Sequence, residues 1–480
     1  MKEILIGGCN RSQIHIDAAM SNRHGMISGA TGSGKTVTLQ ILAEGFSRIG
    51  VPVFLADIKG DLSGITAPGQ VNPKISERVE KIAISDFQFR SNPAVFWDIF
   101  NRTGHPIRTT ISDIGPLLLS SLLELNDTQT GVLYSSFKIA DENGLLLLDL
   151  KDLRSLLAWV GENNKELKSE YGNISSSSIG AIQRRLLVLE EQGAENFFGE
   201  PAIQLEDLCK TDFSGNGVIS ILDATDLSNK SPRLYATFLL WLLSEIFETF
   251  PEVGDAEKPK LVLFFDEAHL LFDNAPKVLI EKIEQIVRLI RSKGIGVYFI
   301  SQSPLDIPED ILGQLGLKIQ HALRAYTPKD KKTIKAVAET FRSNPDLETE
   351  TVITELKTGE ALVSFLNKDG SPSIVERVLI RPPESQIGPV TAEQRNSFTS
   401  RSPFQGKYNQ SIDRESAYEL LKQRAEKQLE NKATEKTTKK RSKRQSVGEA
   451  MLKSAARSIG SQLGRQIIRG IMGSLLGGKS

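Results

Sequence analysis

A glycine-rich octapeptide near the start of the chain leaves few folds open to it. The octapeptide is Gly29-Ala30-Thr31-Gly32-Ser33-Gly34-Lys35-Thr36, and it fits the pattern G-x-x-x-x-G-K-[ST] of a phosphate-binding loop. The short apolar segment at residues 25–28 precedes it as the end of a buried strand. Residues 37–49 follow it with apolar side chains at helical spacing. Strand, loop and helix in this order are the context that the pattern requires.

The octapeptide pattern predicts nucleotide binding. Glycines let successive backbone N–H groups point at phosphate oxygens, and the N-terminus of the next helix adds a partial positive charge. Lys35 is expected to reach the β- and γ-phosphates, and the Thr36 hydroxyl to coordinate Mg²⁺. All eight residues are therefore candidate ligands of the nucleotide, and ATP and Mg²⁺ are the expected cofactors.

A second motif lies 231 positions after Lys35. The apolar residues 261–265 are followed by Asp266 and Glu267, which is a Walker B pattern. Asp266 is expected to hold water around Mg²⁺, and Glu267 to polarise the attacking water. An acidic strand end without a catalytic task is the alternative. The phosphate loop in the same chain favours the Walker B interpretation.

Four polar residues after this motif are candidates for catalysis. Gln302 ends the next predicted strand, where its amide can bond the γ-phosphate or the water. Arg288 and Arg291 lie three apart on one face of the preceding helix. Ring ATPases often use a guanidinium from the neighbouring subunit, and Arg291 is the first choice here, Arg288 the second and Arg324 the third. A strand-end cap and solvated surface arginines are the plainer alternatives.

A loop rich in Gly and Asp, residues 57–64, follows the predicted buried strand at 51–57. Its carboxylates either order the Mg²⁺ shell and the attacking water or are ordinary loop residues. The sequence supports both interpretations equally.

Two familiar classes of nucleotide enzyme are disfavoured. Residues 266–269 spell a DEAH box, but superfamily 2 helicases place the two motifs much closer together, and their Ser-Ala-Thr and Gln-Arg-x-Gly-Arg motifs are missing here. The guanine-reading pattern Asn-Lys-x-Asp of signalling GTPases is also missing, since residues 229–232 and 367–370 both depart from it.

Strand and helix patterns alternate along much of the chain, which predicts an α/β fold with a mostly parallel sheet and right-handed crossovers. Residues 14–17 alternate like an edge strand, residues 83–85 are predicted as a strand and residues 92–100 as a loop. The predicted organisation is a first part of the ATPase core (1–104), a mainly helical insertion (105–215), a second part of the core (216–385) and a C-terminal region (386–480). In the last, residues 386–412 are expected to be a linker. A charged stretch at 414–444, either helical or partly disordered, and a basic amphipathic tail follow it.

The charges are unevenly distributed although the formal net charge is zero. Residues 401–480 contain 18 Lys/Arg and 7 Asp/Glu, whereas the preceding residues contain 41 and 52. A basic tail on an acidic body suggests an anionic partner, either nucleic acid or a membrane surface. Residues 446–480 fit a partner helix, a membrane-surface helix or an unstructured tail.

The compartment is expected to be the cytoplasm. The N-terminus lacks a signal-peptide pattern, and no apolar run approaches the length of a membrane span. The two cysteines, Cys9 and Cys209, sit in no disulfide-scaffold or zinc pattern.

The long spacing between the motifs, Gln302, and Arg-Ser-Lys-Gly at residues 291–294 together resemble the HerA/FtsK superfamily of ring translocases. The chain is especially similar to the bacterial HerA-like proteins of the DUF853 group, and the matching stretches are residues 29–36, 57–64, 104–110, 115–118, 266–270 and 324–328.

The resemblance implies a RecA-like ATPase with a helical C-terminal region that forms a homohexameric ring and moves DNA through its pore. It places Lys35, Thr36, Asp266, Glu267, Gln302 and Arg291 at the catalytic positions of the family. Archaeal members carry an N-terminal β-barrel before the phosphate loop, whereas 28 residues precede Gly29 here. This departure weakens the expectation of the nuclease partner that those relatives use.

The expected function is therefore ATP hydrolysis coupled to DNA translocation or unwinding. A P-loop motor acting on protein or membrane partners, with the tail as a tether, is the rival hypothesis. A nucleotide-gated scaffold without motor activity is the third.

Overall fold

The computed structural model describes residues 2–9, 12–254, 256–273 and 275–438. The described residues form two compact units. One contains the chain up to Pro106 and Ile203–Asn409, and the other contains Ile107–Ala202 and the described residues from Gln410 onward.

The first unit is built on a twelve-stranded sheet. Its strands are β1 (Glu3–Cys9), β2 (Ser12–Asp17), β3 (Gly25–Ser28), β4 (Val53–Asp57), β5 (Ala94–Asp98), β6 (His105–Pro106), β7 (Ile219–Asp223), β8 (Leu261–Phe265), β9 (Ile295–Ser301), β10 (Leu317–Gln320), β11 (Glu360–Ser364) and β12 (Glu376–Ile380). The strand order is β2-β1-β12-β11-β10-β3-β9-β8-β4-β7-β5-β6. All pairs from β10 to β6 are parallel, and those from β2 to β10 are antiparallel. The predicted α/β class with a mostly parallel sheet is confirmed.

The α-helices of both units alternate with or follow these strands. They are α1 (Lys35–Arg48), α2 (Pro73–Ile82), α3 (Ile111–Leu122), α4 (Asp127–Glu142), α5 (Leu150–Glu162), α6 (Asn164–Tyr171), α7 (Ser176–Glu191), α8 (Thr225–Lys230), α9 (Pro232–Thr249), α10 (Lys277–Ile290), α11 (Glu309–Leu312), α12 (Pro328–Glu339), α13 (Thr349–Glu355), α14 (Ala392–Ser400) and α15 (Ala417–Thr438). Helices α3–α7 and α15 belong to the second unit. No helix in the described ranges combines the length and apolarity needed to cross a membrane.

The central strands are buried on both faces because helices cover the two sides of a parallel sheet. Every residue of β3, β4, β8 and β9 is buried. Phe46 of α1 packs against Phe264 and Tyr298, with ring centroids 6.3 and 5.8 Å away. These contacts place the helix that follows the phosphate loop over the strands that carry the other motifs.

Buried polar contacts fix α1 from its other side. The Glu44 carboxylate accepts the backbone N–H groups of Glu384 (3.0 Å) and Ser385 (2.9 Å). The Gln40 amide donates to the Ser385 hydroxyl at 2.6 Å. Burial raises the pKa of Glu44, while these hydrogen bonds oppose that shift. The helix is therefore anchored to the segment that follows β12.

Three predictions about local structure were wrong. Residues 83–85 are not a strand, because Ala83 adopts a left-handed conformation (φ 58°) that ends α2. Residues 92–100 were expected to be a loop but contain β5, whose pairing with β7 decides its conformation. Residues 386–412 are more than a linker, because they contain α14, and Phe404 and Tyr408 in the same segment pack 5.4 Å from Trp97.

One further predicted element is confirmed. The edge strand at 14–17 falls within β2, which lies at one end of the sheet. The predicted amphipathic tail at residues 446–480 lies outside the described residues.

Candidate active site

The sheet order brings the sequence motifs to one edge. Strand β9 lies between β3 and β8, and all three are parallel. The phosphate loop follows β3, Gln302 follows β9, and Asp266 follows β8. Since parallel strands present their carboxyl ends at the same edge, the three segments converge there.

Glycines set the conformation of the phosphate loop, and His321 packs against it. Gly29 and Gly34 have φ values of 147° and 116°, which side-chain-bearing residues rarely adopt. A Cβ on Gly29 would lie 2.5 Å from the Cβ of His321. The backbone N–H of Ala30 donates to the carbonyl of Ala322 at 2.8 Å. The loop therefore rests closely on the segment after β10.

His321 is fully buried, and its partners define its tautomer. Nδ1 lies 3.0 Å from the Glu360 carbonyl, which can only accept, so Nδ1 carries the proton. Nε2 then accepts the hydroxyl of Thr38, 2.8 Å away on α1. Burial lowers the pKa of His321 to about 4, so the ring is neutral at physiological pH. It joins the phosphate-loop helix to β11.

Lys35 begins α1, and only 6% of its surface is exposed. Its ammonium donates to the carbonyls of Gly29 (2.5 Å) and Ala30 (3.4 Å) of its own loop. Burial lowers its pKa, and the nearby charge of Lys59 lowers it further. The ammonium is thus held inside the loop, at the position from which it can bond a phosphate.

The two carboxylates in the Gly- and Asp-rich loop after β4 lie in different surroundings. Asp57 is buried and accepts the backbone N–H groups of Gly60 (2.8 Å) and Leu62 (3.0 Å), so it supports its own loop. Burial raises the pKa of Asp57 to about 7. Burial raises the pKa of Asp61, and the hydroxyl of Thr36, the predicted metal ligand, lies near enough to oppose that shift. Of the two interpretations left open by the sequence, Asp57 fits the structural one and Asp61 fits the one near the metal.

The acidic pair after β8 lies in a constrained position. Asp266 is buried, which raises its pKa to about 6, while the positive charge of Lys59 opposes that shift. The Tyr235 hydroxyl donates to the Asp266 carbonyl at 2.9 Å. Glu267 adopts a left-handed backbone conformation (φ 47°), which is unusual for a residue with a side chain. Its carboxylate Oε1 lies 3.4 Å from Nζ of Lys59.

Lys59 is a candidate functional residue that sequence reasoning missed. Although partial burial opposes it, the carboxylates of Asp266 and Glu267 raise the pKa of Lys59. Lys59 lies in the Gly- and Asp-rich loop at residues 57–64, where the sequence pattern indicates a role near Mg²⁺ only for the carboxylates. Only the pairing of β4 with β8 shows that this ammonium faces the acidic pair.

The structure places the remaining predicted residues at two different edges. Gln302 is exposed at the carboxyl end of β9, beside the phosphate loop. Arg324 is exposed in the segment after β10, where its guanidinium donates to the Thr354 carbonyl at 3.0 Å. Arg288 and Arg291 are exposed just before β9 begins, at the opposite edge. The seven residues of β9 separate the two edges by roughly 20 Å. Neither arginine therefore joins the phosphate loop of its own chain.

Arg291 lines a basic cavity of about 400 Å³ at that opposite edge. Arg23, Lys318 and Arg342 line the same cavity, and its described lining contains no Asp or Glu. Arg23 was not predicted, because it precedes β3 in sequence and only the sheet order brings it near Arg291. The cavity can accept an anionic group.

The oxygen donors at the candidate site suit Mg²⁺. Thr36, Asp61 and Asp266 supply a hydroxyl and two carboxylates at the edge that holds Lys35. In the part of the chain that the structure describes, no group of three or more His, Cys, Asp or Glu side chains is arranged to hold a metal ion. A site with few protein ligands fits Mg²⁺, which usually keeps waters and binds substrate phosphates.

Comparisons with known proteins identify the family of the chain and related folds. The family described as "Helicase HerA-like C-terminal" matches residues 3–438 and 428–480. The DNA double-strand break repair helicase HerA of Sulfolobus acidocaldarius is 24% identical over 372 residues, which cover 75% of this chain. The match covers 66% of that relative, so the chain spans slightly less than two thirds of its length.

Solved structures show the same fold. The bacterial conjugative coupling protein TrwB, in an unbound form, matches with a TM-score of 0.55 and 14% identity, over 82% of this chain and 91% of that one. The same coupling protein in complex with ADP and Mg²⁺ matches with a TM-score of 0.51 and 16% identity, over 82% and 91% of the two chains. At these identities the likeness concerns the fold.

The pKa of His321 predicts how the stability of the first unit depends on pH. A pKa of about 4 in the folded state lies below the ordinary value of about 6.5, so acidification favours unfolding between these two values. The contribution of neutral His321 to the free energy of unfolding is complete above about pH 6.5, and about 2–3 kcal/mol of it is lost by about pH 4.5. His321→Gln should remove this loss, so its free energy of unfolding should change less with pH than that of the wild type.

Urea unfolding of both proteins at several pH values checks this prediction. A Trp159→Phe background leaves Trp97 and Trp241, both in the first unit, as the fluorescence reporters. Stability curves of wild type and His321→Gln that stay parallel from pH 7 to 4.5 would contradict a buried, neutral His321.

Proposed function

The chain belongs to the HerA-like C-terminal helicase family, and from that membership we propose that it is an ATP-hydrolysing ring motor that moves DNA. The observation that carries the ATPase part is the meeting of the phosphate loop and the acidic pair at one sheet edge. There Thr36 lies near Asp61, and Lys59 lies 3.4 Å from Glu267.

Each residue of the site has a proposed task. Lys35 and the loop N–H groups bind the β- and γ-phosphates, and Thr36 and Asp266 hold Mg²⁺. A Mg²⁺ ion held by these residues would neutralise phosphate charge. Glu267 orients the attacking water and accepts its proton, and Gln302 bonds the γ-phosphate or that water. The related fold that holds ADP and Mg²⁺ supports this choice of ligands.

Arg291 is proposed to act on the nucleotide of the neighbouring subunit. It lies roughly 20 Å from its own phosphate loop, which excludes a contact within one chain. Among the described residues, its guanidinium has no hydrogen-bond or ion-pair partner. A homohexameric ring would bring it to the next active site, and the cavity that it shares with Arg23 would receive the terminal phosphate. Arg288 is the second candidate.

An exposed basic surface supports DNA as the partner. Helix α12 presents Lys329, Lys331, Lys332 and Lys335 to solvent, and none of them forms an ion pair within the described residues. Tyr326, just before the helix, is 87% exposed. Unpaired lysines beside an exposed aromatic ring suit a phosphate backbone and an unstacked base.

Further partners and the compartment are proposals of the same kind. A nuclease or another protein is proposed as a further partner, and the basic tail is proposed to contact a partner. A cytoplasmic location is proposed because a DNA motor acts there. A motor that works on protein or membrane is the alternative outcome of the experiments below.

ATP turnover measured against DNA concentration at two salt levels tests the proposal. We expect turnover to rise with DNA and less steeply at the higher salt, because phosphate contacts weaken with salt.

Glu267→Gln should still bind ATP but turn over at least about 100-fold more slowly, because the proton acceptor is lost. Unchanged turnover in this variant would remove Glu267 from its role. Turnover indifferent to DNA but raised by liposomes or a protein partner would favour the alternative.

Charge reversal on α12 tests the DNA surface. Lys331→Glu with Lys332→Glu should lower the slope of log affinity against log salt by roughly 1.5 and reduce DNA-stimulated turnover. Basal turnover without DNA should stay as in the wild type. Lys165→Glu with Lys168→Glu on α6 is the matched control, since both lysines are exposed on another helix. Equal losses in the two double variants would argue against a specific contact by α12.

Mixed rings test whether Arg291 acts between subunits. Arg291→Ala rings and Lys35→Ala rings should each be nearly inactive. Mixed one to one, about a quarter of the interfaces should pair an intact phosphate loop with an intact Arg291 and regain turnover. Mass measurement confirms that the mixed rings form. If mixing restores nothing, or if Arg291→Ala rings are fully active, Arg291 does not act in this way, and Arg288→Ala is tested next.

A further inference from the structure

The ammonium of Lys59 lies among the charges of the candidate site. Strand β4 pairs with β8 in parallel, with Ala56 opposite Phe265. The residues that follow the two strands therefore leave the sheet at the same edge. This pairing brings Lys59 to Glu267, with Nζ 3.4 Å from Oε1.

The loop that carries Lys59 has a fixed conformation. The buried Asp57 carboxylate accepts two backbone N–H groups of the loop, those of Gly60 and Leu62. Gly60 adopts a left-handed conformation (φ 72°), and a Cβ there would meet Thr225 at 3.0 Å. Because the turn is fixed on both sides of Lys59, the side chain is directed towards the acidic pair by the backbone.

Two groups face the Glu267 carboxylate from opposite sides. Lys59 lies at Oε1, and Nδ1 of His269 lies 3.4 Å from Oε2. Both carboxylate oxygens therefore already have a partner within 3.4 Å. In this arrangement, Lys59 occupies the side of Glu267 that faces the candidate site.

A triphosphate would change the preferred partner of Lys59. The ammonium groups of Lys35 and Lys59 are close enough to repel each other. A nucleotide bound by Lys35 brings its terminal phosphate into the same region, and a phosphate carries more negative charge than one carboxylate. ADP ends at the β-phosphate and brings less charge towards Lys59.

We propose that Lys59 binds the γ-phosphate and thereby releases Glu267 when ATP, but not ADP, occupies the site. This inference rests on the proposed ATP hydrolysis and names how the same site distinguishes substrate from product. Before binding, Lys59 pairs with Glu267. With ATP bound, Lys59 pairs with the terminal phosphate, and the Glu267 carboxylate is free to accept the proton of the attacking water. No covalent step is added to the hydrolysis.

Nucleotide affinity measured by calorimetry on the full chain with Mg²⁺ tests this assignment. The ligands are ADP and an ATP analogue whose β- and γ-phosphates are bridged by nitrogen. Lys59→Met should weaken binding of the analogue about tenfold, because a charge-assisted hydrogen bond is lost, and should leave ADP affinity nearly unchanged. Lys59→Arg should restore most of the preference for the analogue, since it keeps the charge.

The ratio of the two affinities separates this role from a structural one. A lysine that only stabilises the loop would, when replaced, weaken both ligands equally, and that result would overturn the proposal. An unchanged ratio in Lys59→Met would overturn it as well. Lys59→Gln gives a second neutral variant, and Lys165→Met on α6 is the matched control for loss of a lysine.

The same measurement distinguishes failure of this inference from failure of the proposed function. If the wild type binds neither ligand, the ATPase proposal itself fails. If the wild type binds both and Lys59→Met keeps its ratio, only the role of Lys59 is wrong.

Discussion

The insertion of β9 between β3 and β8 is the constraint on which the site depends. Each of these strands is buried on both faces and pairs in parallel with the next. A buried parallel strand cannot shift its register without exposing its apolar side chains and breaking its hydrogen bonds. The phosphate loop, Gln302 and Asp266 consequently meet at one edge, although 231 positions separate Lys35 from Asp266. The same arrangement carries Arg291 to the opposite edge.

Buried polar side chains give this edge its rigidity. His321 supports the phosphate loop, Asp57 fixes the loop that carries Lys59, and Glu44 anchors α1. Each is buried and hydrogen-bonded. Burial lowers the pKa of His321 and raises the pKa of Asp57 and of Glu44, which favours the neutral form of each. A buried polar group that lost its partners would be costly, so these contacts hold the loops in one conformation.

The division of charges between two edges fits a ring better than an isolated subunit. Lys35, Lys59 and the acidic pair lie at the edge that carries the phosphate loop, whereas Arg288 and Arg291 lie at the other edge, where the described cavity lining contains no Asp or Glu. Adjacent copies in a ring would complete each other, because a head-to-tail interface joins unlike surfaces. The chain belongs to the HerA-like C-terminal family, and the basic face of α12 adds a surface suited to a polyanion.

Much of the site could be predicted because its signals are local. The phosphate loop and the acidic pair each require particular residues within a few positions, and the strands that carry them are continuous apolar runs. Other elements were missed or misread because their signals come from distant partners. Strand β5 is defined by its pairing with β7, and the segment around Phe404 and Tyr408 by packing against Trp97. Their own sequences resemble a loop and a linker.

The amino-acid sequence by itself determined the fold class, the phosphate loop and the acidic pair, since local spacing specifies them. Only the tertiary structure decided that Lys59 faces Glu267, that Asp57 supports its loop while Asp61 lies near Thr36, and that Arg23 lines a cavity with Arg291. The physical reason is that strand order is set by hydrogen bonding and burial across the whole sheet. Neighbours in space therefore need not be neighbours in the chain.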